Sequence, residues 1–133
     1  MARTKAPAKP GIPRGAAGVR LYKSARRRFV PLKGTPAGAV DICRDADTDV
    51  SDTMACGIVI HKERLPWTIR YDEYYLLIDG ALTIRVGRKA YRMAPGDAIW
   101  LPADTALVYE PRPRATVVYS VYPIDWRKRA GME

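Results

Sequence analysis

The chain has 133 residues, 47% of them hydrophobic, with a formal net charge of +9. That length and composition fit one globular domain with a real core and exclude a disordered polymer, and no stretch approaches the roughly 20 apolar residues of a membrane-spanning helix. The charge is uneven: residues 1–34 hold ten Lys/Arg and no Asp or Glu, and the remainder holds thirteen basic and fourteen acidic groups, so the excess is a basic head on a nearly neutral body rather than a basic domain surface.

Residues 1–18 are rich in Ala, Pro, Gly and Lys/Arg and have no apolar period, which predicts a flexible basic arm ahead of a domain over residues 19–133. The head lacks the apolar core of an export signal, so a cytoplasmic protein with Cys43 and Cys56 as free thiols is expected. From Val19 onward short apolar runs alternate with turn residues. Strands are predicted near 19–22, 28–32, 39–42, 54–60, 67–71, 73–78, 81–86, 90–93, 98–101, 106–109 and 116–121. Turns are predicted at Lys33-Gly34, Asp79-Gly80, Val86-Gly87-Arg88, Pro95-Gly96-Asp97 and Pro111–Pro113. Many short strands without a long amphipathic helix mean an all-β sandwich or barrel. Asp79-Gly80 between Tyr75–Ile78 and Ala81–Val86 reads as a tight hairpin, because Gly supplies the positive φ such a turn needs.

Several features weigh less. Arg26-Arg27-Arg28 is basic but has no interleaved aromatics of the kind that stack bases, so nucleic-acid binding is not expected. The acidic run Asp45–Asp52 has Val50 where a calcium loop needs Gly and Cys56 where it needs Glu, which excludes an EF-hand; it is expected to meet the basic head of the same or a partner chain. His61, the only histidine, sits beside Lys62-Glu63-Arg64 and is expected to be exposed. Cys56 is expected to be a small core residue. Trp100 has opposite parity to Ile99 and Leu101, which places it on the outer face as a candidate subunit contact.

The spacing Glu73…Gly80, then Gly87…Pro95-Gly96-Asp97…Pro102, resembles the two cupin motifs. Where metal-binding cupins carry a His-x-His pair and a further His, this chain has Trp67 and Ile69 (or Pro66 and Thr68) and Leu107. None of these is a suitable first-row metal ligand, so no metal and no cofactor are expected; the unorthodox alternative is Glu73 with His61, Glu63 or a tyrosinate. Pro66-Trp67-Thr68, Tyr71-Asp72-Glu73, Met54-Ala55-Cys56-Gly57-Ile58 and Tyr122-Pro123-Ile124-Asp125-Trp126 are similar to the ethanolamine-utilisation EutQ-type cupins, over about residues 40–126. The resemblance implies a jelly-roll β-barrel and a homodimer, with residues 19–32 available for strand exchange. It also raises organelle recruitment and acetate phosphorylation, although there is no Walker-type phosphate loop.

If Glu73 points into such a barrel, strand alternation sends Tyr71, Tyr75 and Leu77 inward and Asp72 and Tyr74 outward. Leu107 and Tyr109 share the inward parity on the opposite strand. The expected cavity is lined by Trp67, Tyr71, Glu73, Tyr75 and Tyr109, with the directions of Trp67 and Thr68 left open by the bend at Pro66. Glu73 and Tyr71 are the candidate catalytic groups; Trp67, Thr68, Tyr75, Leu107 and Tyr109 are the candidate ligand contacts, with Arg70 or Arg85 at the rim. A carboxyl among phenols and indole should have a raised pKa and be able to hold or move a proton. The expected function is binding of a small polar or carboxylated metabolite inside the barrel. The alternatives are a metal-independent lyase, isomerase or hydrolase using Glu73, a structural carboxylate with no chemistry, and a scaffold recruited by its basic arm.

Overall fold

In a computed structural model the described residues are 11–129. The first ten residues of the expected arm lie outside them. Eight strands follow in chain order: β1 (Val30–Pro31), β2 (Val40–Ala46), β3 (Ala55–His61), β4 (Leu65–Thr68), β5 (Asp72–Val86), β6 (Lys89–Met93), β7 (Ala98–Leu101) and β8 (Ala106–Tyr122). A short helix, α1 (Trp126–Arg129), closes the described chain, and single 3₁₀ turns occupy Gly15–Gly18 and Ser24–Arg26.

All strand pairs are antiparallel, in the order β1-β2-β3-β8-β5-β6, with β4 on β8 and β7 on β5. The two long strands are shared between layers. Asp72–Gly80 of β5 pairs with Ala115–Tyr122 of β8, flanked by β3 and β7; Leu82–Arg85 pairs with Val108–Pro111, flanked by β4 and β6. β5 and β8 therefore fold over together, and the sheet wraps into the expected all-β barrel. Inward residues alternate as a half-solvated sheet requires: Ala55, Gly57, Val59 and His61 on β3, and Ala115, Val117, Tyr119 and Val121 on β8. Leu65, Ile69, Leu77, Leu82 and Ile84 fill the core between the layers.

The bend corrects two expectations. Asp79-Gly80 is not a hairpin turn; β5 runs through it, and the β5–β8 register slips between Leu77 and Asp79 and again between Gly80 and Leu82. Gly80 has φ 84°, and a Cβ there would run into the Arg114 carbonyl. Pro111–Pro113 is likewise not a turn, because β8 is continuous from Ala106 to Tyr122. Residues 112–114 have no partner in the β5 ladder, so the amide hydrogen that Pro113 lacks falls where pairing is already interrupted. The real β5–β6 hairpin turns at Gly87-Arg88, with Gly87 at φ 58°.

The expected strand at 19–22 is absent: Val19–Tyr22 is irregular and exposed. The segment is instead tied to β2 by charge. Arg27 donates two hydrogen bonds to Asp45, at 2.7 and 3.0 Å, and Arg14 pairs with Asp52 at 3.3 Å. The basic head thus meets the acidic run within one chain, and the two-pronged Arg27–Asp45 contact is the stronger kind. Trp100 lies on the outer face, 61% exposed, opposite Tyr74 on β5.

Gly80 and Gly87 separate backbone strain from packing. Gly80→Ala should cost about 3 kcal/mol, because positive φ and overlap with β8 add; Gly87→Ala, with open space around it, should cost only about 1 kcal/mol. Urea unfolding of both variants measures the difference, and equal losses would contradict this account of the bend.

Candidate functional site

The start of β5 carries an Asp-Glu-Tyr-Tyr run whose alternate members face inward. Glu73 is 3% exposed and Tyr75 is 4% exposed, whereas Tyr74 on the opposite face is exposed. Together with Tyr71, just before β5, these residues line a cavity of about 330 Å³ at one end of the barrel. Tyr119 of β8 completes its aromatic wall, and Arg44 of β2 and Arg127 of α1 lie at its open side. Trp126 packs on Tyr71 with ring centroids 4.8 Å apart. The C-terminal segment that carries Trp126 is pinned by a hydrogen bond from the Ile124 amide to the Thr53 carbonyl.

Behind the cavity wall lies a second polar layer. The Tyr109 hydroxyl donates to Glu73 Oε1 at 3.0 Å, and the Tyr75 hydroxyl lies 3.0 Å from His61 Nε2. The rings pack in the same place, His61 tilted against Tyr109 at 4.5 Å and Tyr75 stacked on Tyr109 at 5.5 Å between centroids. His61 Nδ1 is buried with no hydrogen-bond partner among the described residues.

Burial dominates the electrostatics. It pushes the Glu73 carboxyl up to about 8, with the Tyr109 hydrogen bond opposing the shift. The same loss of water lowers His61 to about 4. Burial also raises Tyr71, Tyr75, Tyr109 and Tyr119, and the Glu73 charge adds to this for the first three. At neutral pH the interior is therefore uncharged, with a protonated Glu73, a neutral imidazole and phenols that can donate hydrogen bonds. Glu73 can give or take a proton at the cavity, and Tyr75, backed by His61, offers a second donor beside it.

The structure brings Tyr71, Glu73 and Tyr75 together as expected. Tyr109 touches Glu73 from behind but does not line the cavity. Trp67, Thr68 and Leu107 also lie off the lining: Thr68 is exposed, Leu107 is core, and Trp67 packs against the core edge on β4 opposite Leu107. Arg70 and Arg85 face away, paired with Asp104 and Glu110; the cations at the cavity are Arg44 and Arg127. His61 is not exposed but 1% accessible. Its position was readable, since it continues the inward parity of Ala55, Gly57 and Val59, but the charged residues after it outweighed that signal. Tyr119 likewise follows from the parity of Val117 and Val121. Arg44 and Arg127 carry no such signal, because they are exposed residues placed by the fold. Cys43 is the buried thiol and Cys56 only half-buried, correcting the core assignment of Cys56.

The alternative His61, Glu63 and Glu73 set does not assemble. Glu63 is exposed, and among the described residues no three His, Cys, Asp or Glu side chains lie close enough to share a metal ion. One buried carboxylate among phenols does not fit the donor set a cupin metal requires.

The two buried groups set the pH dependence of stability. Glu73 holds its proton more tightly in the folded chain, so its contribution favours folding at low pH and is lost as pH rises through about 8. His61 is depressed, so its contribution is lost as pH falls through about 4. Above the ordinary imidazole value of 6.5, of these two groups only Glu73 still changes the stability with pH. Unfolding free energy from urea titrations should fall between there and about 8, with a slope approaching ~1.4 kcal/mol per pH unit. Glu73→Gln should flatten that slope, and an unchanged slope would contradict the protonated carboxyl.

Comparison with known proteins accords with this geometry. The sequence matches the family "Ethanolamine utilisation protein EutQ" over residues 4–128. An acetate kinase EutQ of Clostridioides difficile is 31% identical over 77 residues, 57% of this chain and 49% of that protein. The acetate kinase EutQ of Escherichia coli is 21% identical over 85% of this chain and 49% of its own length. The chain spans about half the length of the curated relatives it matches. Among solved structures, the Clostridium difficile EutQ protein superposes with a TM-score of 0.74 at 25% identity, covering 86% of this chain and 88% of that one. An RmlC-like cupin of Shewanella frigidimarina shares the fold at a TM-score of 0.65 and 7% identity, over 79% and 91% of the two chains. The barrel is thus a cupin, and the chain belongs to the ethanolamine utilisation protein EutQ family.

Proposed function

We propose that the barrel binds a small carboxylate-bearing metabolite, and that Glu73 exchanges a proton with it. The observation that carries this reading is one cavity with a neutral carboxyl in its wall and two arginines at its open side, Arg127 and an Arg44 that pairs with the lining Asp47 at 3.4 Å. Arg44 and Arg127 would take the anionic end through charge-assisted hydrogen bonds. A protonated Glu73 can donate to the bound molecule where an ionised one would repel it. Tyr71 and Tyr119 orient it with their hydroxyls, and Trp126, packed on Tyr71, shields that side from water. On this reading the protein works in the cytoplasm as a metabolite-binding barrel. It acts as a homodimer through the face that carries Trp100, Tyr74 and Ile78, all exposed.

A second reading comes from the relatives named acetate kinase. Acetate is already ionised at neutral pH, so its oxygen needs no general base to attack a phosphoryl group. On that reading Arg44 and Arg127, rather than Glu73, carry the acceptor. An isomerase, lyase or hydrolase would instead need Glu73, and its rate would follow a single ionisation near the Glu73 value and vanish in Glu73→Gln.

Thermal-shift and NMR titrations with acetate and longer monocarboxylates, each against its amide, separate these cases. Carboxylates should bind and amides should not. The double substitution Arg44→Ala/Arg127→Ala should weaken binding about tenfold or more, while Glu73→Gln, neutral and of similar shape, should hold it within about threefold. Sedimentation of the same wild-type sample should give a dimer. Equal binding of amides, or no effect of the arginine pair, would contradict the carboxylate reading, and a monomer would contradict the dimer.

A further inference from the structure

The barrel cavity is lined by four acidic and basic side chains. Two of them, Arg44 and Asp47, pair with each other at 3.4 Å. The other two, Arg127 at the open side and Glu73 in the wall, have no ion-pair partner among the described residues. The Arg127 guanidinium lies over the Trp126 ring, 5.1 Å from its centroid, which leaves its charge at the mouth. Glu73 receives the Tyr109 hydroxyl on Oε1 at 3.0 Å, and among the described residues no donor reaches Oε2. That oxygen belongs to a side chain only 3% exposed on the cavity wall, so it is the acceptor left for a bound molecule.

Aromatic rings make up much of the remaining wall: Tyr71, Tyr75, Tyr119 and Trp126. Tyr71 is braced by the Trp126 ring at 4.8 Å and by a side-chain hydrogen bond with Trp67 behind it. Ring faces are electron-rich, and several of them around one carboxyl make a site that recognises an ammonium ion. A lone cation in this cavity would leave Arg127 unbalanced and be repelled by it, and a lone anion would leave the carboxyl and rings without the charge they favour. A molecule with an ammonium at one end and a carboxylate at the other satisfies both. The volume of about 330 Å³ is at the small end of ligand sites, which suits a short chain between the two ends.

We propose that the cavity takes a short amino-carboxylate, with its carboxylate on Arg127 at the mouth and its ammonium on Glu73 among the tyrosine rings. The proposal rests on the carboxylate reading above and adds the other end of the molecule. Its proton balance is definite. The ammonium keeps its three hydrogens, the Glu73 carboxyl gives its proton to solvent, and a buried carboxylate–ammonium pair replaces the neutral carboxyl. One proton therefore leaves for each molecule bound. No neighbour of Glu73 can supply that proton at neutral pH. Tyr71, Tyr75, Tyr109 and Tyr119 are raised by burial, and His61, packed behind from β3, is lowered to about 4 and already lacks one. Arg44 and Arg127 stay charged, and Asp47 is held as the carboxylate partner of Arg44.

Calorimetric titration of the full chain at neutral pH with 4-aminobutanoate, 4-hydroxybutanoate, butanoate and butylamine tests it. The amino acid should bind about tenfold or more tighter than the hydroxy acid or butanoate. Titrations in buffers of different ionisation enthalpy should show close to one proton released with 4-aminobutanoate and none with butanoate. Below about 8 the affinity for the amino acid should rise nearly tenfold per pH unit. Glu73→Gln should abolish the proton release and bring 4-aminobutanoate level with butanoate, whereas Arg127→Ala should weaken both alike. Equal binding of the amino and hydroxy acids, or an amine advantage that survives Glu73→Gln, would overturn the proposal and leave the carboxylate reading standing. Butylamine binding as tightly as 4-aminobutanoate would overturn the carboxylate reading and the two-ended ligand with it, and so would no binding by any of the four.

Discussion

The hydrogen bond from Tyr109 to Glu73 joins the two strands on which the barrel depends. β5 and β8 are long enough to belong to both layers, and they face each other across the interior where Glu73 and Tyr109 meet. A carboxyl placed there has lost its water. A buried carboxylate without a cation partner is far more costly than a protonated one hydrogen-bonded by a phenol. The interior resolves this by staying neutral: Glu73 keeps its proton and His61 goes without one. Everything chemical about the cavity follows from that choice, because a neutral interior can accept the end of an anionic molecule while exposed arginines hold its charge.

Much of the barrel was legible from alternation. On β5 the inward series Glu73, Tyr75 and Leu77 followed from the period of two, and so did Leu107 and Tyr109 on β8. The cupin spacing added closure and a jelly-roll path, which alternation alone does not specify. Sequence reading failed at the bend. Asp-Gly and Pro-x-Pro are strong turn signals between separate strands, yet here they lie side by side in space and interrupt the pairing of two continuous strands at the same point. Each segment looks like a terminus by itself; only their mutual placement shows them to be a fold line. The segment 19–22 failed for a different reason. Its apolar residues imitate a strand, but β2 meets it through an Arg27–Asp45 contact rather than a ladder.

The site divides along the same line. Residues on strands were found by parity, and Tyr71, Glu73 and Tyr75 stand together as expected. His61 obeys the parity of β3 but was read from its charged neighbours, which lie beyond the strand end and have no bearing on the direction of its side chain. Thr68 and Trp67 were drawn in by motif resemblance; Thr68 is exposed, and Trp67 does not line the cavity but backs it through a side-chain hydrogen bond with Tyr71. Arg44 and Arg127 come from a strand edge and a terminal turn. Nothing local marks such residues, since their role depends on where distant parts of the chain meet.

The central claim is that Glu73 is protonated at neutral pH. Carbon-13 NMR titration of the glutamate side-chain carboxyls, with Glu73 assigned by its absence in Glu73→Gln, reads that state directly. A titration midpoint near 8, well above the ordinary 4.5, is the predicted result. A midpoint at the ordinary value would mean that the carboxyl is ionised in the folded barrel, and the neutral interior on which the carboxylate-binding account rests would be contradicted.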